Sequence, residues 1–379
     1  MTSPLNERLG ILGGGQLGLM MIQSARTLNL SCSVLDSDPD APCSIATHDL
    51  HHGSLLNFDD VVQFGRRFDR VTTEFEHINC DALEILESEG KIVAPSSRCI
   101  RLIQDKGLQK QFYKTHGFPT ADFRRIGSRD ELYSHTDFLP AIQKLCRMGY
   151  DGKGVYKLRS SDDIGSAFDD PSIIESWVDI AMELSVIVCR GHNGEIRTFQ
   201  PVELIADPDA HLLKTLISPA RIEPKLASEA VTIASDLAST LGVVGILAVE
   251  FMISQSGQLL INECAPRPHN SGHHTIESCA HSQFEQHIRA VMGLPLGTNV
   301  TESPAVMVNL LGKQGVSGPV RYTNLDRWLA HPNVFVHLYG KKMTKSFRKM
   351  GHITILNPSV SDGLSIADDI QRSLEVVTQ

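Results

Sequence analysis

The stretch GILAVEFMISQSGQLLINECAPRPHNSGHHT, residues 245–275, carries the strongest structural signal in the sequence. Two apolar segments flank the turn-forming QSGQ, which predicts a β-hairpin. Glu250 interrupts the first segment and Glu263 the second. Because unpaired buried charges are costly and two carboxylates repel, a cation is expected between them. With Asn262 they form an oxygen-only set that suits Mg²⁺ and hence nucleotide phosphates; the alternative is that one glutamate faces solvent.

The residues after this hairpin form a dense polar segment. Arg267 stands between two prolines and is followed by Asn270, Ser271 and His273. A cation and several hydrogen-bonding groups beside a metal–phosphate site favour a small anion and its phosphorylated form. A polar loop without a ligand is the alternative.

Two further segments indicate nucleotide binding. QKLCRMGYDGKGVYKLR, residues 143–159, places three glycines and Lys153 between two strands, typical of a mobile phosphate-binding flap. Lys144 in the preceding strand would point toward the same phosphates. In IIESWVDIAMELSV, residues 173–186, an extended strand could bind an adenine edge and a glutamate the ribose hydroxyls. A plain hairpin turn and an interdomain strand are the respective alternatives.

The N-terminal region suggests a different ligand. LGILGGGQLGLM, residues 9–20, has glycines at 13, 15 and 18, the spacing of dinucleotide-binding turns, and Asp36 ends a second apolar run. Strands and helices alternate over residues 8–95, which predicts a parallel sheet. Residues 97–117 read as one long helix capped by serine, and an asparagine–glycine pair at 193–194 as a hairpin turn.

Composition excludes several classes of function. A net charge of −9 argues against a nucleic-acid partner. No apolar run approaches the ~18 residues needed to span a membrane, and no signal peptide is recognisable. The eight scattered cysteines suggest reduced thiols rather than a zinc or redox motif. We therefore expect a cytoplasmic protein.

Taken in this order, the segments resemble the ATP-grasp superfamily, and within it the N5-carboxyaminoimidazole ribonucleotide synthetases. The resemblance runs through ILGGGQLG, QDKGLQKQF, GYDGKG, LLINECAPRPHNSGHHT and RKMGH. It implies an α/β and α+β architecture, the ATP-grasp fold. The expected divisions are a Rossmann-like pre-ATP-grasp domain over 1–98, a small lid subdomain with the flap over 99–180, a large subdomain with the metal hairpin over 181–302, and a β-rich C-terminal domain over 303–379.

The resemblance also implies a reaction. ATP would phosphorylate bicarbonate to carboxyphosphate, and the exocyclic amine of 5-aminoimidazole ribonucleotide would then be carboxylated, in purine biosynthesis. ATP, Mg²⁺ (two ions expected) and bicarbonate are the implied cofactors and co-substrates, and a homodimer the implied assembly. No nucleic acid or membrane is expected as a partner.

The resemblance assigns roles to individual residues. ATP would be held by Lys106, Lys144, the flap residues Gly149, Tyr150, Asp151, Gly152, Lys153 and Gly154, the segment Glu175, Ser176, Trp177 and Val178, and Glu183, Asn262 and Glu263. Mg²⁺ would be bound by Glu250 and Glu263. Bicarbonate and carboxyphosphate would be surrounded by Arg267, Asn270, Ser271 and His273. The ribonucleotide would be bound by Gly15, Gln16, Leu17, Glu76, Tyr150, Asp151, Arg267, Lys341 and Arg348. Asp151 and His273 are the two candidates for the proton acceptor.

Three other functions stay open on sequence alone. Another ATP-grasp ligase, such as a formate-dependent ribonucleotide transformylase or a biotin carboxylase, would share most of these segments. An NAD-linked oxidoreductase would use the glycine turn and Asp36, but leaves the hairpin carboxylates and the flap without a role. A nucleotide-binding relative without catalysis is disfavoured because every expected lysine and metal position is filled.

Overall fold

The computed structural model describes residues 4–147, 149, 154–207 and 212–378. The predicted flap residues Tyr150, Asp151, Gly152 and Lys153 lie outside this set, so their roles stay predictions.

The N-terminal domain is a five-stranded parallel sheet, as predicted, with strand order β3-β2-β1-β4-β5. Helices lie between the strands and bury the apolar side chains of both faces. Short 3₁₀ helices span Pro4–Asn6 and Pro42–Ile45. The elements are β1 (Leu9–Leu12), α1 (Gln16–Thr27), β2 (Cys32–Asp36), β3 (Leu50–His52), α2 (Phe58–Gly65), β4 (Arg70–Thr73), α3 (Cys80–Ser88) and β5 (Ile92–Val93).

The long helix predicted over residues 97–117 is wrong, because two helices occupy this stretch: α4 (Ser97–Ile103) and α5 (Lys106–Thr115). The Ser96 hydroxyl caps α4, and the Asp105 carboxylate caps α5 by accepting the Leu108 N–H at 3.0 Å. An N-cap carboxylate satisfies an orphan N–H of the first turn, so Asp105 starts a new helix. The break places Lys106 at the first position of α5.

The lid is a four-stranded antiparallel sheet with order β6-β9-β7-β8. Its β7–β8 hairpin, in which residue 144 pairs with residue 155, encloses the flap sequence. Two 3₁₀ segments, Arg129–Phe138 and Ser161–Ser166, cover this sheet. The strands are β6 (Phe123–Ile126), β7 (Ala141–Leu145), β8 (Val155–Leu158) and β9 (Ser172–Ser176).

The remainder is organised by a nine-stranded sheet with order β15-β14-β10-β12-β13-β16-β20-β18, and β11 pairs beside β10. Both predicted hairpins, β10–β11 and β14–β15, are confirmed. Three strands from beyond residue 303 extend this sheet, while β19, β17 and β21 form a small sheet of their own. The elements are β10 (Ile180–Arg190), β11 (Ile196–Thr198), β12 (Val202–Ala206), β13 (Leu213–Ser218), α6 (Pro224–Leu241), β14 (Gly245–Ser254), β15 (Leu259–Ala265), α7 (Thr275–Ser278), α8 (Gln283–Val291), β16 (Ala305–Leu311), β17 (Ser317–Tyr322), α9 (Leu325–Leu329), β18 (Val334–Leu338), β19 (Met343–Lys345), β20 (Lys349–Leu356), α10 (Val360–Ser373) and β21 (Val376–Thr378).

The two faces of this sheet have different neighbours. Helix α6 packs its apolar stripe, including the fully buried Leu237, on Val186 and Val249 of one face; burying such a side chain contributes about 2 kcal/mol. Helix α8 covers Ile187 and Ala248 on the other face, but only at one end. Because side chains alternate along a strand, the uncovered part of that second face is available for a site. Among the described residues, no helix is long and apolar enough to cross a membrane.

Candidate active site

Three carboxylates lie on the uncovered face of the large sheet. Glu250 of β14 pairs directly with Glu263 of β15 and, on its other side, with Ser185 of β10. The next register pair joins residues 251 and 261, so Asn262 is the extra residue of a β-bulge. Since Glu183 lies two residues before Ser185, strand alternation places it on the same face.

The Lys106 ammonium forms an ion pair with Glu263. This lysine lowers the pKa of Glu263, whereas burial, followed by the charge of Glu263, raises the pKa of Glu250. The two opposed carboxylates supply oxygen ligands of the kind that Mg²⁺ prefers, and a bound cation would favour the ionised form of both. The His269 ring lies beside them, with Nε2 3.7 Å from Glu250 Oε1. Among the described residues no cluster of three or more His, Cys, Asp or Glu could hold a metal, so phosphate or water oxygens would complete the shell.

Lys144 of the lid reaches the same strand. Its ammonium lies 2.8 Å from Glu175 Oε2 and donates to Asn262 Oδ1 at 2.9 Å. The predicted nucleotide ligand Glu175 is therefore engaged inside the protein, where it is 3% exposed and paired with lysines. Its contact with the site is the ion pair with Lys144.

Beside these groups is a cavity of about 340 Å³ between the N-terminal domain, the lid and the large sheet. Arg267 and Glu76 form a 2.8 Å ion pair across it. The Asn270 side chain is buried there, and neither its nitrogen nor its oxygen has a hydrogen-bond partner in the described part of the chain. A buried amide without partners is costly, so it indicates a polar ligand. The predicted site residues that line this cavity are Gln16, Leu17, Glu76, Lys106, Gly149, Glu263, Arg267, Asn270 and His273.

His273 stands in the cavity wall as a neutral imidazole. Burial lowers its pKa well below the ordinary value, and its ring lies near Phe284 and His352. Its Nδ1 is 3.3 Å from Gln283 Nε2. The same burial makes the ring a weak base, so the role of His273 as proton acceptor stays a prediction.

Three N–H groups of the glycine turn are bound to side-chain carboxylates instead of facing a ligand. The N–H groups of Gly15 and Gly18 donate to the Glu74 carboxylate at 2.9 and 3.2 Å, and that of Gly14 donates to Asp36 at 2.6 Å. A protein carboxylate therefore occupies the position at the α1 N-terminus where a dinucleotide-binding fold holds a phosphate. A Cβ added at position 15 would lie 2.5 Å from Glu74 Oε1. The close approach of Glu74 therefore accounts for the glycine at this position, and no bound dinucleotide is needed to explain it.

A second cavity, of about 460 Å³, lies where the lid joins the large sheet. The predicted adenine-binding residues Ser176, Trp177 and Val178 line it, together with the β14–β15 turn. Glu183 lies near this end of β10, and burial raises the pKa of its carboxyl.

Among the described residues, four of the predicted bicarbonate and ribonucleotide ligands do not line the first cavity. Ser271 is fully buried and hydrogen-bonded at 2.8 Å to Ser185 and to His269. Gly15 contacts Glu74 instead. Lys341 donates to the Lys349 carbonyl at 2.8 Å, and Arg348 donates to the Met343 carbonyl at 2.7 Å. Their contributions to ligand binding stay predictions.

Sequence reasoning missed Lys349 and Glu74, both of which line the first cavity. Lys349 belongs to the same basic stretch as Arg348, and only the strand register of β20 decides which of the neighbours faces inward. Glu74 sits at the end of β4, in the sequence TTEFE. A carboxylate there, beside a glycine turn on the neighbouring strand, was the available signal.

Fold and site together define an ATP-grasp enzyme. The ribonucleotide synthetase preATP-grasp domain matches residues 6–104, the ATP-grasp domain residues 111–284, and the phosphoribosylaminoimidazole carboxylase C-terminal domain residues 305–364. N5-carboxyaminoimidazole ribonucleotide synthase of Bacillus subtilis is 39% identical over 355 residues, covering 92% of this chain and 91% of that protein. The chain belongs to the N5-carboxyaminoimidazole ribonucleotide synthase family and is an ATP-grasp ligase.

Three other proteins agree with this. The crystal structure of the Thermotoga maritima synthetase superposes with a TM-score of 0.91 at 37% identity, covering 98% of this chain and 100% of that one. The Aspergillus clavatus synthase, in complex with ADP and 5-aminoimidazole ribonucleotide, gives a TM-score of 0.87 at 32% identity, with 97% and 99% coverage. The chloroplastic phosphoribosylaminoimidazole carboxylase of Vigna aconitifolia is 38% identical over 93% of this chain, which spans 64% of that longer protein.

Proposed function

We propose that the chain uses ATP and bicarbonate to carboxylate the exocyclic amine of 5-aminoimidazole ribonucleotide, giving N5-carboxyaminoimidazole ribonucleotide, ADP and phosphate in purine biosynthesis. One observation carries this proposal. A single cavity brings Lys106 and Glu263, suited to a metal nucleotide, next to Arg267, Asn270 and Lys349, suited to anionic partners. The names of the relatives and the ADP and 5-aminoimidazole ribonucleotide bound in the Aspergillus structure support the same assignment.

The chemistry divides into two transfers. A bicarbonate oxygen attacks the γ-phosphorus of ATP, and ADP leaves to give carboxyphosphate. The amine nitrogen of the ribonucleotide then bonds to the carboxyl carbon, phosphate departs, and the amine loses a proton to a base. Phosphoryl transfer needs mainly positioning and charge neutralisation, which the residues of this site can supply.

Lys106 and Lys144 would contact phosphate oxygens, and Glu250 and Glu263 would hold Mg²⁺. The bound ion would neutralise charge on the phosphates. Arg267 and Asn270 would orient bicarbonate, since one supplies a guanidinium and the other a buried amide that no described residue hydrogen-bonds. His273, as a neutral ring, and Asp151 of the flap are the candidate bases.

Phosphate release from ATP tests the reaction. We expect slow release with ATP and Mg²⁺ alone, and a strong increase only when both bicarbonate and 5-aminoimidazole ribonucleotide are present. Equal turnover without the ribonucleotide would contradict the proposed substrate. Parallel reactions with formate or biotin test the other ATP-grasp ligases, and calorimetry with NAD tests the oxidoreductase, for which the filled glycine turn predicts no binding.

Glu263→Gln tests the metal assignment. The amide keeps the shape of the side chain but removes the charge, so we expect loss of turnover with an unchanged circular dichroism spectrum. The exposed Glu229→Gln, on helix α6, is the matched control and should retain full activity. Substantial turnover by Glu263→Gln would exclude this carboxylate as an essential Mg²⁺ ligand.

We also propose a cytoplasmic location and a homodimer. All eight cysteines are buried and unpaired, which agrees with a reducing compartment. Light scattering of the purified protein tests the dimer, and a mass near the 41.7 kDa of one chain would contradict it.

A further inference from the structure

Lys110 on helix α5 is a buried lysine with no role in the reaction described above. It is 2% exposed. Its ammonium donates to Thr120 Oγ1 at 2.6 Å and to the Ile261 carbonyl at 3.3 Å, and lies 3.1 Å from Glu175 Oε1. Burying an ammonium costs several kcal/mol unless partners compensate, so this arrangement is specific.

Glu175 is shared between two lysines. One carboxylate oxygen faces Lys110, and the other lies 2.8 Å from Lys144. Burial opposes the charged form of Glu175, yet the two ammonium groups keep its pKa below the ordinary value. The carboxylate therefore remains ionised, with its charge divided between the two lysines.

Lys144 connects this pair to the reacting groups. Its ammonium also donates to Asn262 Oδ1 at 2.9 Å, and Asn262 precedes Glu263 on β15. A continuous series of contacts thus runs from α5 through two lid strands to β15. Lys110 itself lines neither of the two cavities at the site.

We propose that Lys110 is a positioning residue for ATP: by holding one oxygen of Glu175, it keeps Lys144 from being fully neutralised and so available to the phosphates. Without the Lys110 charge, Lys144 would be the only cation paired with a buried carboxylate. Both oxygens of Glu175 could then pair with the Lys144 ammonium. That pairing would reduce the attraction of Lys144 for the triphosphate. The inference rests on the proposed use of ATP.

The test compares Lys110→Met with Lys110→Arg and Lys110→Gln. The control is Lys114→Met, which removes an exposed lysine one turn later on the same helix. We expect Lys110→Met to raise the KM for ATP about tenfold or more, with the KM values for bicarbonate and ribonucleotide little changed. Lys110→Arg should restore most of the ATP affinity, and Lys114→Met should match the wild type.

A binding measurement separates this inference from the proposed reaction. The chain has two tryptophans, of which Trp177 lines the second cavity and Trp328 is buried elsewhere. Quenching of Trp177 by a non-hydrolysable ATP analogue with Mg²⁺ gives a Kd that requires no carboxylation. If turnover does not depend on the ribonucleotide, the proposed substrate fails, while the Kd comparison still decides the role of Lys110.

Two outcomes would overturn the inference. One is an unchanged Kd for the analogue in Lys110→Met; the other is an equal rise in all three KM values with a lowered Tm, which would indicate a general structural role. Where the methionine variant does not fold, Lys110→Gln carries the same test, because its amide can still donate to Thr120 and Ile261 but has no charge.

Discussion

Glu74 makes the stability of the protein depend on pH in a defined direction. Its carboxylate accepts two backbone N–H bonds at the start of α1, yet burial raises its pKa from 4.5 to about 7. Asp36 adds to this effect and Arg267 opposes it. Between pH 4.5 and about pH 7, Glu74 therefore holds a proton in the folded chain that it releases in the unfolded chain.

The sign follows from this difference. The contribution of Glu74 to the free energy of unfolding is fully present below pH 4.5 and is lost as the pH rises through about 7. At 1.36 kcal/mol for each pH unit between the two pKa values the loss is about 3 kcal/mol. Solvent in the adjoining cavity screens the carboxylate, so we expect about 1–3 kcal/mol.

Unfolding of the wild type and of Glu74→Gln by urea, followed by circular dichroism from pH 4.5 to pH 8, measures the effect. Glutamine does not titrate, so the free energy of unfolding of the wild type should fall relative to the variant by this amount as the pH rises. The exposed Glu229→Gln controls for the exchange itself. A difference between wild type and Glu74→Gln that stays constant over this range would refute the reasoning.

Three further predictions concern the glycine turn and the first cavity. Gly18→Ala should lower the free energy of unfolding in urea by about 1–3 kcal/mol, since the new Cβ would lie 2.8 Å from the Gly13 carbonyl oxygen. The control Gly165→Ala, which places its Cβ in open space, should leave this free energy unchanged. Lys349→Met should raise the KM for 5-aminoimidazole ribonucleotide about tenfold or more while the KM for ATP stays unchanged, because a charged group leaves the cavity wall; equal effects on both values would contradict this. Asn270→Ala should raise the KM for bicarbonate about tenfold with an unchanged melting temperature, and a normal bicarbonate KM would show that its amide does not contact the anion.

Local patterns in the sequence determined the β14–β15 hairpin with its two glutamates, the parallel N-terminal sheet and the family. Strand alternation, turn residues and helical periodicity are set by residues close together in the chain, so they can be read without a fold. The opposed Glu250 and Glu263 are the clearest case, because one short hairpin contains both.

Tertiary structure decided the contacts between distant residues. The Glu74 carboxylate that fills the glycine turn lies 59 residues from Gly15, and Lys106 lies 157 residues from Glu263. The choice of Lys349 over its basic neighbours depends on strand register, and the helix break before Lys106 depends on one capping aspartate. Packing brings these groups together, and no local pattern encodes it. The dinucleotide-like turn is therefore correctly read as strand, glycine turn and helix, but only the fold reveals that a glutamate occupies its anion position.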